Sequence, residues 1–282
     1  MLAILLSLVA SGMWGSSDFI GGMATRRSSV FGVLLVIEAA SLVVTGVVVL
    51  VAGDPFPDAG TVALAAAAGI CGAGGLLLFY QALSIGKMSI VAPLSACGVA
   101  VPVIVGLVSG DPMTVLIGAG MACALTGVLL VSLEAAVEEE RHEHTRRSRL
   151  AIALALGSAL GFGGYFTFSD AAADVSIPWL IFLMRLTVLP PLIAVVLLRR
   201  PSLPARRERP LLIAAACFDA GATALYAIAQ TNGALSVVAV VGALYPVMTV
   251  LLARGVLDER LRRLQAVGVL LAFGGIALIA AG

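Results

Sequence analysis

Four ionisable residues lie well inside long apolar runs of this sequence: Asp18, Glu38, Arg185 and Asp219. A charge at the centre of a bilayer-spanning helix costs roughly 2.5–3.5 kcal/mol on insertion scales, so such residues pair, face a bundle interior or line a hydrated path. Three acids against one base leave an excess of negative charge that can bind a polar solute or carry a proton. Glu38 and Arg185 are candidates for a charge pair or for ion coupling. Arg185 can equally bind an anionic group such as a carboxylate, or snorkel to the interface.

Polar and aromatic residues accompany these charges at helical spacing. Trp14 and Asp18 share a face at i and i+4. Beside them, Ser11/Gly15 and Gly12/Ser16 have the small-xxx-small spacing that admits a neighbouring helix. Asp18 then reads either as a carboxylate at a cavity, gate or proton relay, or as a packing group bonded to nearby hydroxyls or backbone. Asp219, Thr223, Tyr226 and Gln230 follow at steps of four, three and four. Lipid cannot hydrogen-bond such a stripe, so it turns inward, as cavity lining in preference to buried structural bonding. Phe162, Tyr165, Phe166 and Ser169 add to this set, as do Phe79, Tyr80 and Gln81. The candidate cavity residues are therefore Trp14, Asp18, Tyr80, Gln81, Tyr165, Ser169, Asp219, Thr223, Tyr226 and Gln230.

The elements that carry them are apolar. The 282 residues are 61% hydrophobic and 12% charged, with a mean hydropathy of +1.11, well outside the range of soluble domains. Crossing about 30 Å of hydrocarbon takes roughly 20 helical residues. Runs of that length recur at 2–22, 31–52, 61–83, 88–108, 114–133, 150–170, 179–198, 211–231, 236–256 and 264–281. Backbone groups in lipid must be satisfied within each segment, and the alternating short strands of a barrel are absent. The expected fold is all-α, with ten transmembrane helices. Pro93, Pro102, Pro190, Pro191 and Pro246 fall inside runs and can kink them. Gly118, Gly120, Gly127, Gly268, Gly274 and Gly275 read as close-packing residues of the fifth and tenth runs. The four cysteines, also in apolar runs, lack the spacing of a metal site or disulfide framework.

Sixteen of the seventeen basic residues follow odd-numbered runs, and the seventeenth is Arg185. The positive-inside rule then places the odd connections in the cytoplasm and both termini outside. The charged segment EEERHEHTRRSR at 138–149 divides residues 1–137 from 150–282, and its two histidines read as solvated. At an offset of 147, LFYQALSIGKMSIVA (78–92) and LYAIAQTNGALSVVA (225–239) share 6 of 15 positions, which suggests an internal repeat of five helices. The same offset relates Glu38 to Arg185. An odd number of crossings per repeat turns the second copy upside down, the arrangement found in secondary transporters.

Ten helices in two fives, the stretch WGSSDF, the stretch SVVAVVGALYPVMTVLLARGVLDERL and the Gly-rich VGVLLAFGGIALIAAG together resemble the EamA-type branch of the drug/metabolite transporter superfamily. Tyr245-Pro246 followed by Asp258-Glu259-Arg260-Leu261 carries most of the likeness. The first half departs from it, with Pro102 about three residues late and no Glu-Arg pair. The resemblance implies an alternating-access exporter of amino acids or related metabolites in a bacterial cytoplasmic membrane, and the aromatic and hydroxyl residues above suit neutral or aromatic amino acids. It further implies a small-molecule substrate, protons as a candidate coupling ion, and a monomer or weak homodimer. A nucleotide-sugar or drug carrier of the same superfamily is the alternative, and an intramembrane enzyme a more distant one. No P-loop, dinucleotide fingerprint or H-E-x-x-H occurs, so no enzyme activity, cofactor, metal or nucleic-acid partner is expected.

Overall fold

In the computed structural model, described for residues 1–86, 88–142, 146–173, 175–257 and 263–281, the chain is helical, with no strand among those residues. Lys87, His144, Arg262 and the stretch from Asp258 to Leu261 lie outside the described residues. The helices are α1 (Leu2–Thr25), α2 (Val30–Ala52), α3 (Ala59–Ile85), α4 (Met88–Ala96), α5 (Ala100–Val108), α6 (Val115–His142), α7 (Arg146–Ala173), α8 (Ile177–Arg199), α9 (Arg209–Gln230), α10 (Leu235–Gly242), α11 (Tyr245–Leu257) and α12 (Arg263–Ala281). Six of them, α1, α2, α3, α7, α8 and α9, are long and apolar enough to cross a membrane. Shorter apolar stretches occupy Leu94–Val108, Val115–Gly127, Leu235–Thr249 and Ala266–Ile279.

The polarity of α2 is reversed relative to a helix of a soluble protein. Glu38, Ser41 and Thr45 are buried, whereas Val47, Val48 and Val51 are 55%, 47% and 81% exposed. An apolar exterior around a polar seam is the arrangement a lipid environment requires.

Two of the apolar runs are interrupted. A 3-10 turn at Cys97–Val99 separates α4 from α5, and Ala243-Leu244 separates α10 from α11. Pro102 and Pro246 sit in the first turns of the helices that restart, where a missing N–H matters least. Pro190 and Pro191 behave differently, since α8 runs through both. The described residues of the charged segment at 138–149 extend α6 and begin α7, in keeping with its content of Glu and Arg.

The starts of α2, α3 and α8 are capped by short polar side chains. Ser29 accepts from the Gly32 N–H at 3.0 Å, and Ser176 accepts from the Trp179 N–H at 3.3 Å. At α3, the hydroxyl of Thr61 donates to Asp58 at 2.6 Å. With the N–H groups of Thr61 and Gly60 it holds that exposed carboxylate below its ordinary range. The cap is therefore ionised at neutral pH and weakens only when acid protonates Asp58, below the pKa of a free aspartate.

In packing, α1 lies along α9, α3 along α7, α2 along α8 and α6 along α12, while α2 touches α9 and α3 touches α8. α10 and α11 lie against α1, as α4 and α5 lie against α7. Loop contacts fix the direction of the α2 and α8 pair. Ser29, at the start of α2, donates its hydroxyl to the Ser202 carbonyl beyond the end of α8 at 2.9 Å. Ser176, at the start of α8, donates to Asp54 beyond the end of α2 at 2.7 Å. The two helices are antiparallel.

The α6 and α12 contact depends on missing side chains. A Cβ on Gly120 would come within 2.7 Å of the Gly275 carbonyl oxygen, whereas one on Gly274 meets nothing within 4 Å. Gly274 therefore faces away from the contact in which the sequence placed it. Gly120→Val is expected to lower the stability of the detergent-solubilised protein by about 1–3 kcal/mol, read as an earlier thermal midpoint. Gly274→Ala should leave that midpoint unchanged or raise it slightly.

Candidate functional site

The antiparallel pair brings Glu38 and Arg185 together. Each is the ninth residue of a 23-residue helix. Started from opposite ends, they lie about 9 Å apart along the axis at 1.5 Å per residue, a gap the arginine stem spans. Nη1 of Arg185 donates to Glu38 Oε1 and Oε2 at 3.3 and 3.2 Å. Nη2 donates to Asp219 Oδ2 at 2.6 Å and to Thr223 Oγ1 at 3.3 Å. The Thr223 hydroxyl donates onward to the Asp219 carbonyl at 2.8 Å. Glu38 is 1% exposed and Arg185 9%, so the Glu38 end and the centre of the network are removed from solvent, while Asp219 is half-buried. One fork between two carboxylates is the geometry in which a buried guanidinium holds its charge.

This network forms one wall of a cavity of about 70 Å³. On α1, Trp14 and Asp18 line it. The Asp18 side chain makes no hydrogen bond or ion pair among the described residues, although it is only 8% exposed. Phe162, Tyr165 and Phe166 of α7 and Tyr245 of α11 provide aromatic surface. Gly69, Gly72, Ala73 and Leu76 of α3 supply a narrow floor, completed by Met184 and Val188 of α8. A Cβ on Gly69 would lie 2.6 Å from the Met184 carbonyl oxygen, so only glycine lets α3 approach α8 there. Arg185 Nε and the hydroxyls of Tyr226 and Tyr245 are buried without a hydrogen-bond partner.

Of the residues singled out from sequence, Trp14, Asp18, Glu38, Tyr165, Arg185, Asp219 and Thr223 line this cavity, and Tyr80, Gln81, Ser169, Tyr226 and Gln230 do not. Tyr226 lies behind Trp14, with ring centroids 5.1 Å apart. Gln230 donates to the Phe166 carbonyl at 3.0 Å and to Ser169 at 3.1 Å, a pairing that ties α9 to α7. The Tyr80 hydroxyl sits against Gly21 of α1, and Gln81 is half-buried outside the cavity. Thus the stripe on α9 divides, with Asp219 and Thr223 facing the cavity while Tyr226 and Gln230 pack between helices.

Sequence reasoning passed over the α3 floor. Its signal was the spacing of Gly69, Gly72, Ala73 and Leu76 at i, i+3, i+4 and i+7, one helical face of small residues ending in a leucine. Tyr245 was singled out only as part of a motif.

Two larger cavities of about 200 Å³ each are lined without an acidic or basic side chain. One lies between α1, α11 and α12 and the other between α4, α5, α6 and α10. Of these three cavities, only the central one carries charged side chains.

Comparison with known proteins bears on this arrangement in two ways. The profile of the EamA-like transporter family matches residues 149–281. A chain in a solved crystal structure shares the fold with a TM-score of 0.74 at 19% identity, covering 99% of this chain and 97% of that one. No curated protein matches the sequence significantly. Residues 149–281, which carry Arg185, Asp219 and Thr223, are thus similar to the EamA-like transporter family, in a chain whose long apolar helices mark it as a multi-pass membrane protein.

Proposed function

We propose that this protein is a secondary transporter that exports amino acids, neutral or aromatic, by alternating access across a bacterial cytoplasmic membrane. Residues 1–137 and 150–282 form two five-helix repeats of inverted topology, ten crossings in all, with both termini outside. The observation that carries the reading is the central cavity, in which Glu38, Arg185 and Asp219 are enclosed with aromatic side chains within a bundle of apolar helices.

The repeat has its own support. Exchanging α1 with α7, α2 with α8, α3 with α9, and α4 and α5 with α10 and α11 maps the α1–α9 contact onto α7–α3 and the α2–α9 contact onto α8–α3. The caps Ser29 and Ser176 are 147 residues apart, as are Glu38 and Arg185, and each cap bonds the loop beyond the partner helix. A central site between inverted halves can open in turn to either face. Protons are the coupling ion we favour, because the carboxylates outnumber the one guanidinium in the cavity.

A nucleotide-sugar carrier needs free cationic groups for its phosphates, and the cavity's one guanidinium is already engaged by two carboxylates. The test is counterflow of radiolabelled amino acids in liposomes containing the purified protein, with and without a pH gradient. Uptake of at least one amino acid is expected. Silence across a broad panel, with active controls, would overturn the assignment.

A further inference from the structure

We infer that Asp18 is the docking point for the ammonium group of the transported molecule, and that the site recognises an amine in preference to a carboxylate. This rests on the transport reading above and names the charge of its substrate.

The cavity holds three carboxylates, and two of them are occupied. Glu38 and Asp219 share the Arg185 fork at 3.2 and 2.6 Å, with Thr223 closing the remaining approach to Nη2. Asp18 stands apart. It lines the cavity, is more than nine-tenths buried, and makes no hydrogen bond or ion pair among the described residues. A buried carboxylate without a partner is unfavourable until a cation or donor reaches it. An incoming ammonium supplies both charge and N–H donors.

The surroundings fit the same chemistry. Trp14, one turn before Asp18 on the same face, and Tyr245 of α11 present aromatic rings, which attract a cation placed over them. The Tyr245 hydroxyl is itself unpartnered and can accept from an ammonium N–H. An incoming carboxylate meets the opposite conditions. It adds to the negative excess, and the guanidinium it would need is shared between Glu38 and Asp219. Both Nη atoms are taken and only the buried Nε is unpartnered, so a carboxylate finds at most one N–H there unless it displaces Glu38 or Asp219.

The experiment compares phenylalanine with two analogues, phenylalaninamide (ammonium without carboxylate) and 3-phenylpropionate (carboxylate without ammonium). Each competes against phenylalanine counterflow in liposomes, and each is also measured as a thermal shift of the solubilised protein. Phenylalaninamide should compete comparably to phenylalanine, and 3-phenylpropionate about tenfold or more weakly, the loss expected when a charge-assisted hydrogen bond is removed. Asp18→Asn should erase the preference between the two analogues, and Asp18→Glu should retain part of it. Competition is read as a ratio and the thermal shift as a difference between midpoints, so a change in abundance moves neither.

Phenylalanine counterflow in which 3-phenylpropionate competes as well as the amide, or an unchanged preference in Asp18→Asn, would overturn the inference and leave amino-acid transport standing. A thermal shift with the amide alone, lost in Asp18→Asn, in a protein that moves no amino acid would uphold the ammonium site and overturn the amino-acid assignment instead.

Discussion

Arg185→Met is expected to abolish transport and to destabilise the solubilised protein by about 3–5 kcal/mol, the usual consequence of removing one member of a buried ion pair. The stem of methionine refills much of the space, so lost packing contributes little. What remains is Glu38, 1% exposed, and Asp219, each without its cation. Because the loss comes from stranded charge, it should be partly reversible. Glu38→Gln in the Arg185→Met background should recover stability, whereas Glu38→Gln alone should lower it. The double-mutant cycle, read from thermal midpoints of the four proteins, should therefore be strongly non-additive. Additive effects, or an Arg185→Met protein as stable as the parent, would show that the three side chains do not act as a unit.

Asp219→Asn should reduce transport about tenfold or more, in line with the loss of a charge-assisted hydrogen bond, while the amount reaching the membrane changes far less. Asparagine keeps the shape and can still accept from Arg185 Nη2, now at 2.6 Å from the carboxylate. Glu38 continues to neutralise the guanidinium, so the fold has less to lose here than in Arg185→Met. The separation of transport from abundance distinguishes a residue of the cavity from one that merely holds helices together. Wild-type uptake in the variant would remove Asp219 from the site.

Much of this architecture was legible because membrane helices obey few rules. Uninterrupted apolar length marked out the long helices, and the placement of arginines between them indicated an order of crossings. The four intramembrane charges stood out against such a background, and the offset of 147 between Glu38 and Arg185 hinted that they belonged together. Their contact could not be read directly, since it depends on α2 and α8 being antiparallel neighbours, a fact set by Ser29, Asp54, Ser176 and Ser202 in loops far along the chain from one another.

Other features were hidden by the same composition. Asp18 and Asp219 look alike in sequence, yet only Asp219 reaches a cation. Gln230 and Tyr226 continue the polar stripe of Asp219 and Thr223, but the approach of α7 and α1 makes them packing groups, Gln230 bonded to Ser169 and Tyr226 stacked near Trp14. Glycines announce close approach without naming the partner. Gly120 meets Gly275, whereas the neighbouring Gly274 meets nothing. Prolines were equally ambiguous, since helices restart at Pro102 and Pro246 but α8 continues through Pro190 and Pro191.

The two halves make their sharpest common statement at Phe56 and Leu203, positions 147 residues apart in the loops beyond α2 and α8 and 66% and 49% exposed. Placed singly as cysteines in a protein cleared of Cys71, Cys97, Cys123 and Cys217, they can be labelled in intact cells with a membrane-impermeant maleimide. Cysteine at 56 should react from outside, and cysteine at 203 only after the membrane is permeabilised. Labelling of both from the same side would mean that the halves are threaded alike, and a cavity between oppositely inserted repeats would no longer be tenable.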